Sequence, residues 1–388
     1  MQQAIDISKE RWRLGENAAG TAQWLQLVGL GAIGAAVVVG LFDGGAFFRA
    51  YLMNLTFLVS LALGAMFFVL IQHLTRAGWS VVGRRPAEMM MQAFPLLGLL
   101  ALPLLLAVLL GWPAGIRELY PWTDSAYVAK EPLLQHKSPY LNPVFFVLRV
   151  AIYFGIWIWL SRYLISRSLD QDRTGDPRLS QEMGRVSAPG TLLFGLSLTF
   201  FSFDLLMSQA PTWYSTIFGV YYFAGAVVGF ASLLAVALVL LQRSGLLERA
   251  GSTEHYHDVG KLIFAFVVFW AYIAFSQYML YWYANMPETT SWFIVRQKMP
   301  WLVLSLALLL GHFVGPFLML ISRVPKRNKA LLTVGAVWVL VVHWLDMAYL
   351  ALPPYFFLLE AGKVPLYQPL AFVLAPLGSL LSRKHEFE

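Results

Sequence analysis

The sequence predicts an all-α integral membrane protein with about ten transmembrane helices, and three observations indicate this fold class. First, 59% of the 388 residues are hydrophobic and only 13% are charged, whereas soluble domains carry roughly 25% charged residues. Second, apolar stretches recur at or near the roughly 20 residues that a helix needs to cross the hydrocarbon core. Third, loops rich in Lys and Arg alternate with loops poor in them, which is typical of multi-pass membrane proteins.

The ten predicted spans follow one another through most of the chain. They are residues 24–42, 49–74, 88–110, 144–165, 189–209, 214–242, 259–284, 300–322, 329–352 and 365–382. The first nine are near or above spanning length, whereas the tenth is short and carries Pro369 and Pro376. The chain is therefore divided into a cytoplasmic N-terminal segment at 1–23, a transmembrane domain at 24–382 and a cytoplasmic tail at 383–388.

The basic residues predict the orientation. Most of the 28 Lys and Arg residues lie in the N-terminal segment, in every second loop and in the tail. The opposite loops hold Arg49, Arg117, Lys130, Lys137, Arg296, Lys298 and Lys363. Because cytoplasmic loops carry the excess of Lys and Arg, both termini are predicted to be cytoplasmic, which requires an even number of spans. The net charge of +7 is thus explained without a nucleic-acid partner.

With ten spans, the second to fifth and the sixth to ninth run in the same order of directions. This order predicts two four-helix bundles, residues 49–209 and 214–352, with the first and tenth helices peripheral, as in parallel repeats of membrane carriers. The last helix of each bundle carries a carboxylate in its outer half. These are Asp204 in the fifth span and Asp346 in the ninth.

Ionisable residues inside the spans are candidates for function, since a charge at the centre of a membrane helix costs roughly 2.5–3.5 kcal/mol on insertion scales. Asp204 and Ser208 lie four residues apart, on one face of the fifth predicted helix. His343 and Asp346 are three residues apart and could hydrogen-bond directly or through water. Because these acids are too short to reach the headgroups, we interpret them as functional groups, such as proton acceptors.

Three longer polar side chains lie in the outer halves of other spans. Arg149 is at the outer end of the fourth span, where a long side chain reaches the interface easily. Gln277 and Tyr281 lie four residues apart in the seventh span. They complete the set of candidates for a proton relay or a ligand site.

His312 is the ionisable residue near the centre of the eighth predicted span. Pro316, four residues later, cannot donate a hydrogen bond to the carbonyl of His312, which frees that oxygen and favours a kink. Two interpretations remain open, a water chain that carries protons and a packed polar contact between helices. Because only His312 and His343 lie well inside spans, a two-haem bis-histidine arrangement is excluded by count.

The outer loop 111–143 is rich in aromatic residues and prolines. It carries Trp112, Pro113, Tyr120, Pro121, Trp122, Tyr127, Tyr140 and Pro143. Such a loop is either an aromatic belt at the membrane interface or an ordered platform for an extracytoplasmic partner. The sequence contains no cysteine, which excludes disulfides, thiolate metal sites and cysteine-ligated iron–sulfur clusters within it.

Three stretches resemble the NrfD-like family of membrane subunits, the polysulfide-reductase type. They are KEPLLQHKSPYLNPVFFVLR at 130–149, APTWYSTIFGVYYFAGA at 210–226 and HDVGKLIFAFVVFWAYIAFSQYMLYWYANMPE at 257–288. The resemblance extends over about residues 20–350 and is weaker after Pro353. Within the family, the likeness is strongest to the smaller of the two such subunits in bacterial alternative complex III, a quinol-oxidising respiratory assembly.

The resemblance implies a ten-helix fold, a bacterial cytoplasmic membrane location and a set of partners. Those partners are lipids, a second NrfD-like subunit, an iron–sulfur protein, c-type cytochromes and a terminal oxidase, with the haem and iron–sulfur clusters held by the partner subunits. A quinone, either menaquinone or ubiquinone, is the ligand that the resemblance implies for this subunit. No motif maps residue by residue onto a quinol pocket, so no catalytic residue is assigned.

Quinol oxidation releases two protons with two electrons, so a quinol site needs a base within about 2.6–3.2 Å of the hydroxyl. Asp204 and the pair of His343 and Asp346 are the candidate acceptors, and their outer depth suits release outside. Two other function classes remain open. One is a secondary transporter that uses the same charges for a coupling ion, and the other is a membrane anchor for partner subunits.

Overall fold

The computed structural model describes residues 44–247 and 251–353, together with isolated positions between 23 and 31. Within these described residues, the helices that are long and apolar enough to span a membrane are Phe47–Thr75, Val81–Leu110, Pro143–Thr174, Pro177–Gln209, Phe218–Arg243, Thr253–Ala284, Trp301–Leu320 and Lys329–Ala351. The predicted all-α, multi-pass membrane fold is therefore confirmed. Predicted spans 24–42 and 365–382 lie outside the described residues, apart from those isolated positions.

We number the main helices in chain order. The first bundle contains α1 (Gly44–Thr75), α2 (Val81–Met91), α3 (Phe94–Leu110), α4 (Pro143–Thr174) and α5 (Pro177–Leu205). The second contains α6 (Phe218–Arg243), α7 (Thr253–Ala284), α8 (Trp301–Leu308), α9 (Gly315–Leu320) and α10 (Lys329–Ala351). Helices α2 and α3 form one span, and a π-helical turn, Leu309–Val314, joins α8 and α9 into another.

Within each group of four spans, the helices pack against one another to form a bundle. In the first bundle α1 packs against α2, α3 and α5, and α4 packs against both α3 and α5. In the second, α6 packs against α7 and α10, while α8 contacts α10 and α9 contacts α7. The bundles meet where α1 packs against α6 and α10. Gly64 of α1 lies directly on the main chain of Ala226 in α6, so a larger residue would collide there, as expected where membrane helices approach closely.

Helix ends are set by capping groups, and not by hydropathy. The α4 helix begins at Pro143, where the side chain of Asn142 accepts a hydrogen bond from a backbone N–H. It continues to Thr174 and ends where Gly175 adopts a positive φ of 66°. The α5 helix then begins at Pro177, capped by Asp176. Both helices are therefore longer than the predicted spans 144–165 and 189–209.

The third predicted span, 88–110, is also different in the structure. Its helix begins earlier, at Val81, and is interrupted between Met91 and Phe94. Pro95 lies in the first turn of α3, a position where the missing N–H of proline is tolerated. The interruption thus separates a short polar-faced helix from an apolar one.

Residues 111–142 cover one end of the molecule, which we call the long-loop side. They form short helices at Gly115–Leu119, Ser125–Val128 and Pro132–Lys137, and a 3₁₀ turn at Pro121–Thr123. Tyr120 and Trp122 are buried, and the Tyr120 hydroxyl donates to the carbonyl of Leu205 at 2.9 Å. Trp112, by contrast, is 72% exposed. The loop is therefore an ordered layer over the end of α5, with only part of its aromatic residues exposed.

The eighth predicted span departs from a regular helix at its centre. In the turn Leu309–Val314 the hydrogen bonds follow the i→i−5 pattern, with the N–H of Gly315 donating to the carbonyl of Leu310. In that register Pro316, which has no N–H, leaves the carbonyl of Gly311 free. The indole N–H of Trp338 donates a hydrogen bond to this carbonyl at 2.8 Å. This role of Gly311 was not anticipated from the sequence, where only the carbonyl of His312 was considered, because a regular α-helical register was assumed.

Candidate functional site

The carboxylate of α5 is fully buried and paired with an arginine of α4. Arg149 donates from Nε to Oδ2 of Asp204 at 2.9 Å and from Nη2 to Oδ1 at 2.8 Å. The hydroxyl of Tyr153 donates to Oδ2 at 2.8 Å. This fork-shaped arrangement is the strong, bidentate form of a charge-assisted hydrogen bond. Three hydrogen bonds therefore fix the position of the Asp204 carboxylate.

The long-loop side completes the surroundings of this ion pair. The remaining guanidinium nitrogen of Arg149 donates to the carbonyl of Tyr140 at 2.8 Å. The guanidinium carbon also lies 3.8 Å from the centroid of the Tyr140 ring and 4.4 Å from that of Phe145, within cation–π range. Burial and the negative charge of Asp204 raise the pKa of Tyr140 to about 12. Every face of the guanidinium is thus occupied by protein groups.

The structure also shows how Arg149 and Ser208 are held. The Arg149 side chain does not extend from the protein surface, since only 7% of it is exposed and it pairs with Asp204. Ser208 does not contact the Asp204 side chain, because its hydroxyl donates to the main-chain carbonyl of Asp204 at 2.5 Å. Ser208 also accepts from the indole of Trp122 at 3.3 Å. Ser208 therefore attaches the long loop to the end of α5.

The carboxylate of α10 is also fully buried, but its partners are neutral. Tyr221 of α6 donates from its hydroxyl to Oδ1 of Asp346 at 2.5 Å, and Trp270 of α7 donates from Nε1 to Oδ2 at 3.1 Å. Among the described residues, no Lys or Arg forms an ion pair with Asp346. The two acids that the sequence placed at corresponding positions are thus held in different ways. Asp204 has a counter-ion, whereas Asp346 has only neutral donors.

His343 lies on the same helix as Asp346 but points to another partner. Its Nε2 is 2.8 Å from the hydroxyl oxygen of Ser60 in α1. Its Nδ1 is buried without a hydrogen-bond partner among the described residues. The direct hydrogen bond between His343 and Asp346 that the sequence suggested as one alternative is therefore absent. Gly225 and Gly229 of α6 leave the space that the imidazole fills.

His312, in the π-helical turn, faces the same interior region. It is fully buried, and neither ring nitrogen has a hydrogen-bond partner in the described part of the chain. Its ring centroid lies 3.9 Å from that of Trp270 and 6.1 Å from that of His343. Trp270 thus contacts Asp346 through its N–H and His312 through its ring. Together these residues form one polar cluster inside the second bundle, which we call the α10 cluster (Ser60, Tyr221, Trp270, His312, His343 and Asp346).

Arg296 lies at the long-loop end of the same bundle. The sequence placed it in a loop, yet it is only 2% exposed. It donates to the carbonyls of Tyr349 at 3.1 Å and Trp292 at 3.0 Å, and its guanidinium lies over the Trp292 ring. Burial lowers the pKa of Arg296 to about 9, so it remains charged at neutral pH. A cation at the carboxyl end of α10 is favourable for the helix dipole.

Gln277 and Tyr281 form no hydrogen bond with Asp204 or Asp346. Gln277 donates from Nε2 to the hydroxyl of Ser215 at 2.9 Å, and Tyr281 donates to the carbonyl of Tyr214 at 2.6 Å. Both side chains therefore connect α7 to the segment between α5 and α6. The structure does not bring them to the α10 cluster, and their observed contacts are structural.

A third buried carboxylate was missed in the sequence analysis. Glu88 in α2 is fully buried and lies 2.8 Å from Arg85 and 3.5 Å from Arg84. Ser168 of α4 donates to it at 2.9 Å, and Arg85 also contacts Asp172. The spacing of Arg84 and Arg85 four and three residues before Glu88 is the signal that indicates such pairing on a helix. This cluster lies on the side opposite the long loop.

The α10 cluster is the part of the described structure in which side chains can exchange protons. Asp346 accepts hydrogen bonds from two neutral donors, so the gain or loss of a proton there leaves no buried cation unpaired. The two imidazoles have unused nitrogens that can accept or donate protons. In the described residues no group of three or more His, Asp or Glu side chains is arranged to hold a metal ion. Tyr221, Trp270 and Ser60 were not predicted, since they are distant in sequence and carry no local signal.

No protein-family model matches the chain, and no curated protein matches it.

Proposed function

We propose that this chain is a membrane subunit of a respiratory quinol:cytochrome c oxidoreductase complex. It contributes proton exchange or quinol binding and holds no redox centre of its own. The observation that carries the proposal is the α10 cluster, in which a fully buried carboxylate is bound by neutral donors beside two histidines. Intramembrane ionisable residues that face the protein interior typically mark proton or ligand pathways.

The contrast between the two acids assigns the exchange role to Asp346. Losing the charge of Asp204 would leave Arg149 buried without its counter-ion, which is a costly state. Neutralising Asp346 leaves no cation unpaired, because Tyr221 and Trp270 are uncharged donors. We therefore assign a structural role to the pair of Arg149 and Asp204 and the proton-exchange role to Asp346.

The type of complex is proposed from the resemblance of residues 130–149, 210–226 and 257–288 to NrfD-like subunits. On that basis the complex is of the alternative complex III type, in a bacterial cytoplasmic membrane. Its partners are a second NrfD-like subunit, an iron–sulfur protein and c-type cytochromes. The Lys and Arg distribution then places both termini in the cytoplasm and the long-loop side outside. The buried anchors Tyr120 and Trp122 support an ordered outer platform on which such a partner could rest.

Isolation of the chain from its native membrane tests membership of the complex. An affinity tag on the C-terminus should co-isolate subunits that contain c-type haem and iron–sulfur clusters, detected by absorbance and by electron paramagnetic resonance. A chain that is isolated alone and remains folded, with no haem-containing partner under mild detergent conditions, would contradict the proposal.

The proton role has its own test. Asp346→Asn keeps the size of the side chain and a hydrogen-bond acceptor but cannot exchange a proton, so proton release coupled to quinol oxidation should fall while the complex still assembles. The control is Glu288→Gln, an exposed carboxylate in the short helix Pro287–Arg296, which should leave coupling unchanged. Normal coupling in an assembled Asp346→Asn complex would remove Asp346 from the proton path.

A transporter is less well supported. Transporters of the repeat type interrupt helices at corresponding places in both halves. Here the first bundle is interrupted in its second span, between Met91 and Phe94, and the second bundle in its third span, at Leu309–Val314. The two interruptions do not correspond.

A further inference from the structure

The protonation pattern of His343 follows from the hydroxyl that it contacts. Ser60 donates its single hydroxyl hydrogen to the carbonyl of Phe57 at 2.7 Å. Assigning the hydroxyl hydrogen to the Phe57 carbonyl makes the serine oxygen the acceptor in its 2.8 Å contact with His343, which puts a hydrogen on Nε2. A neutral imidazole has only one N–H, so Nδ1 of His343 is a bare acceptor. That buried acceptor has no donor among the described residues.

The neighbouring imidazole has complementary unused groups. Neutral His312 offers one N–H donor and one acceptor whichever nitrogen carries its hydrogen, and neither has a partner in the described residues. Buried polar atoms are paired in native proteins in the great majority of cases, and an unpaired cluster indicates an unseen water or ligand. Three such nitrogens on two fully buried side chains therefore point to an occupant between them.

The separation of the rings fits one oxygen atom. A hydroxyl oxygen about 2.9 Å from each of two nitrogens joins nitrogens up to roughly 5.8 Å apart. The ring centroids of His312 and His343 are 6.1 Å apart, so the two rings are neighbours and one oxygen atom can reach a nitrogen of each. Trp270 closes one side of the space, since its ring lies 3.9 Å from that of His312.

We propose that the space between His312 and His343 is a binding site for a hydroxyl group, which donates its hydrogen to Nδ1 of His343 and accepts one from His312. Two sources have this chemistry, a water molecule and the hydroxyl of a quinol. The hydroxyl site rests only on the geometry of the two imidazoles, whereas a quinol as its source rests on the proposed respiratory function.

The residues around the two histidines are compatible with either a quinol or a water molecule. An apolar cavity of about 740 Å³ lies between α8 and α10, and its lining includes Gly311 and Val342, the residues that precede the two histidines. A hydrocarbon-bearing molecule in this cavity would lie beside the two histidines, which are themselves fully buried. A water held by both His312 and His343 would make two hydrogen bonds, within the range of about two to four that buried waters make.

Nitrogen-15 magnetic resonance of the full chain in lipid vesicles tests the site. The seven histidines are labelled, and His312→Phe and His343→Phe assign the two signals. His343 should carry its hydrogen on Nε2, and its Nδ1 signal should show an accepted hydrogen bond that is lost in His312→Phe. An Nδ1 signal typical of an unbonded nitrogen, or a hydrogen on Nδ1, would overturn the proposal.

Two further measurements follow. One distinguishes water from a quinol as the source of the hydroxyl group, and the other tests the proposal if a histidine variant does not fold. Magnetisation transferred from water to Nδ1 indicates bound water, and loss of that transfer on adding a short-tailed quinol indicates a quinol hydroxyl. If His312→Phe does not fold, Ser60→Ala remains: by removing the acceptor of Nε2, it should release His343 into a mixture of both tautomers. An unchanged tautomer would contradict the hydrogen-bond assignment. His136→Phe, in the exposed part of the long loop, is the control and should change neither signal.

Discussion

Replacing each bundle's acid by its amide should have very different effects on stability. In Asp204→Asn the two hydrogen bonds from Arg149, at 2.9 and 2.8 Å, lose their charge assistance. Arg149, only 7% exposed, then lacks a counter-ion. Removing one partner of a buried pair costs about 3–5 kcal/mol. In Asp346→Asn the donors are neutral and an amide oxygen can still accept, so the cost is about 1–2 kcal/mol.

Denaturant unfolding of the purified chain in bicelles, followed by tryptophan fluorescence, measures both changes. The matched control is the double variant Arg149→Met with Asp204→Leu, which removes both charges. Because it leaves no unpaired charge, it should recover most of the stability lost in Asp204→Asn. Equal losses in the two amide variants, or a double variant as unstable as Asp204→Asn, would refute the distinction between a structural and an exchangeable acid.

Two further substitutions test the surroundings of the histidines. Trp338→Phe removes the donor to the carbonyl of Gly311 and should lower the free energy of unfolding by about 1–3 kcal/mol, the cost of an unsatisfied buried group; an unchanged unfolding midpoint would show that the carbonyl finds another partner. Gly229→Ala brings a methyl group to 2.5 Å from Cδ2 of His343 and should destabilise by about 1–3 kcal/mol through overpacking. Gly155→Ala, with nothing within 4 Å, is its control, and equal effects would contradict the close packing around His343.

Hydropathy identified where the chain crosses the membrane but not where its helices end. The predicted fifth span begins at 189, whereas α5 begins at Pro177. The helix continues because Asp176 caps it and polar residues are compatible with a helix outside the hydrocarbon. Hydropathy measures how favourably a residue transfers from water into lipid. It contains no information about the backbone hydrogen bonds that continue a helix into water. The same limit explains why the predicted third span missed the helix at Val81–Met91.

The sequence predicted the acids and histidines of the candidate site but not the residues that form hydrogen bonds with them. Asp204, His343, Asp346 and His312 stand out in the sequence because ionisable residues are costly in lipid. Tyr221 is 125 residues from Asp346 along the chain, and no local spacing indicates that the two meet. The partner of each acid depends on which helices are neighbours.

The sequence alone determined that this is a multi-pass helical membrane protein and which spans carry ionisable groups. Transfer of a segment into hydrocarbon is a local property, summed residue by residue, so it can be read without knowing the fold. The tertiary structure decided that Asp204 meets Arg149 whereas Asp346 meets only Tyr221 and Trp270. It also decided that Trp338 donates to the carbonyl of Gly311 in the π-helical turn. Those outcomes depend on the approach of helices distant in sequence, because the packing of α10 on α6, α7 and the π-helical turn selects which donor reaches which acceptor.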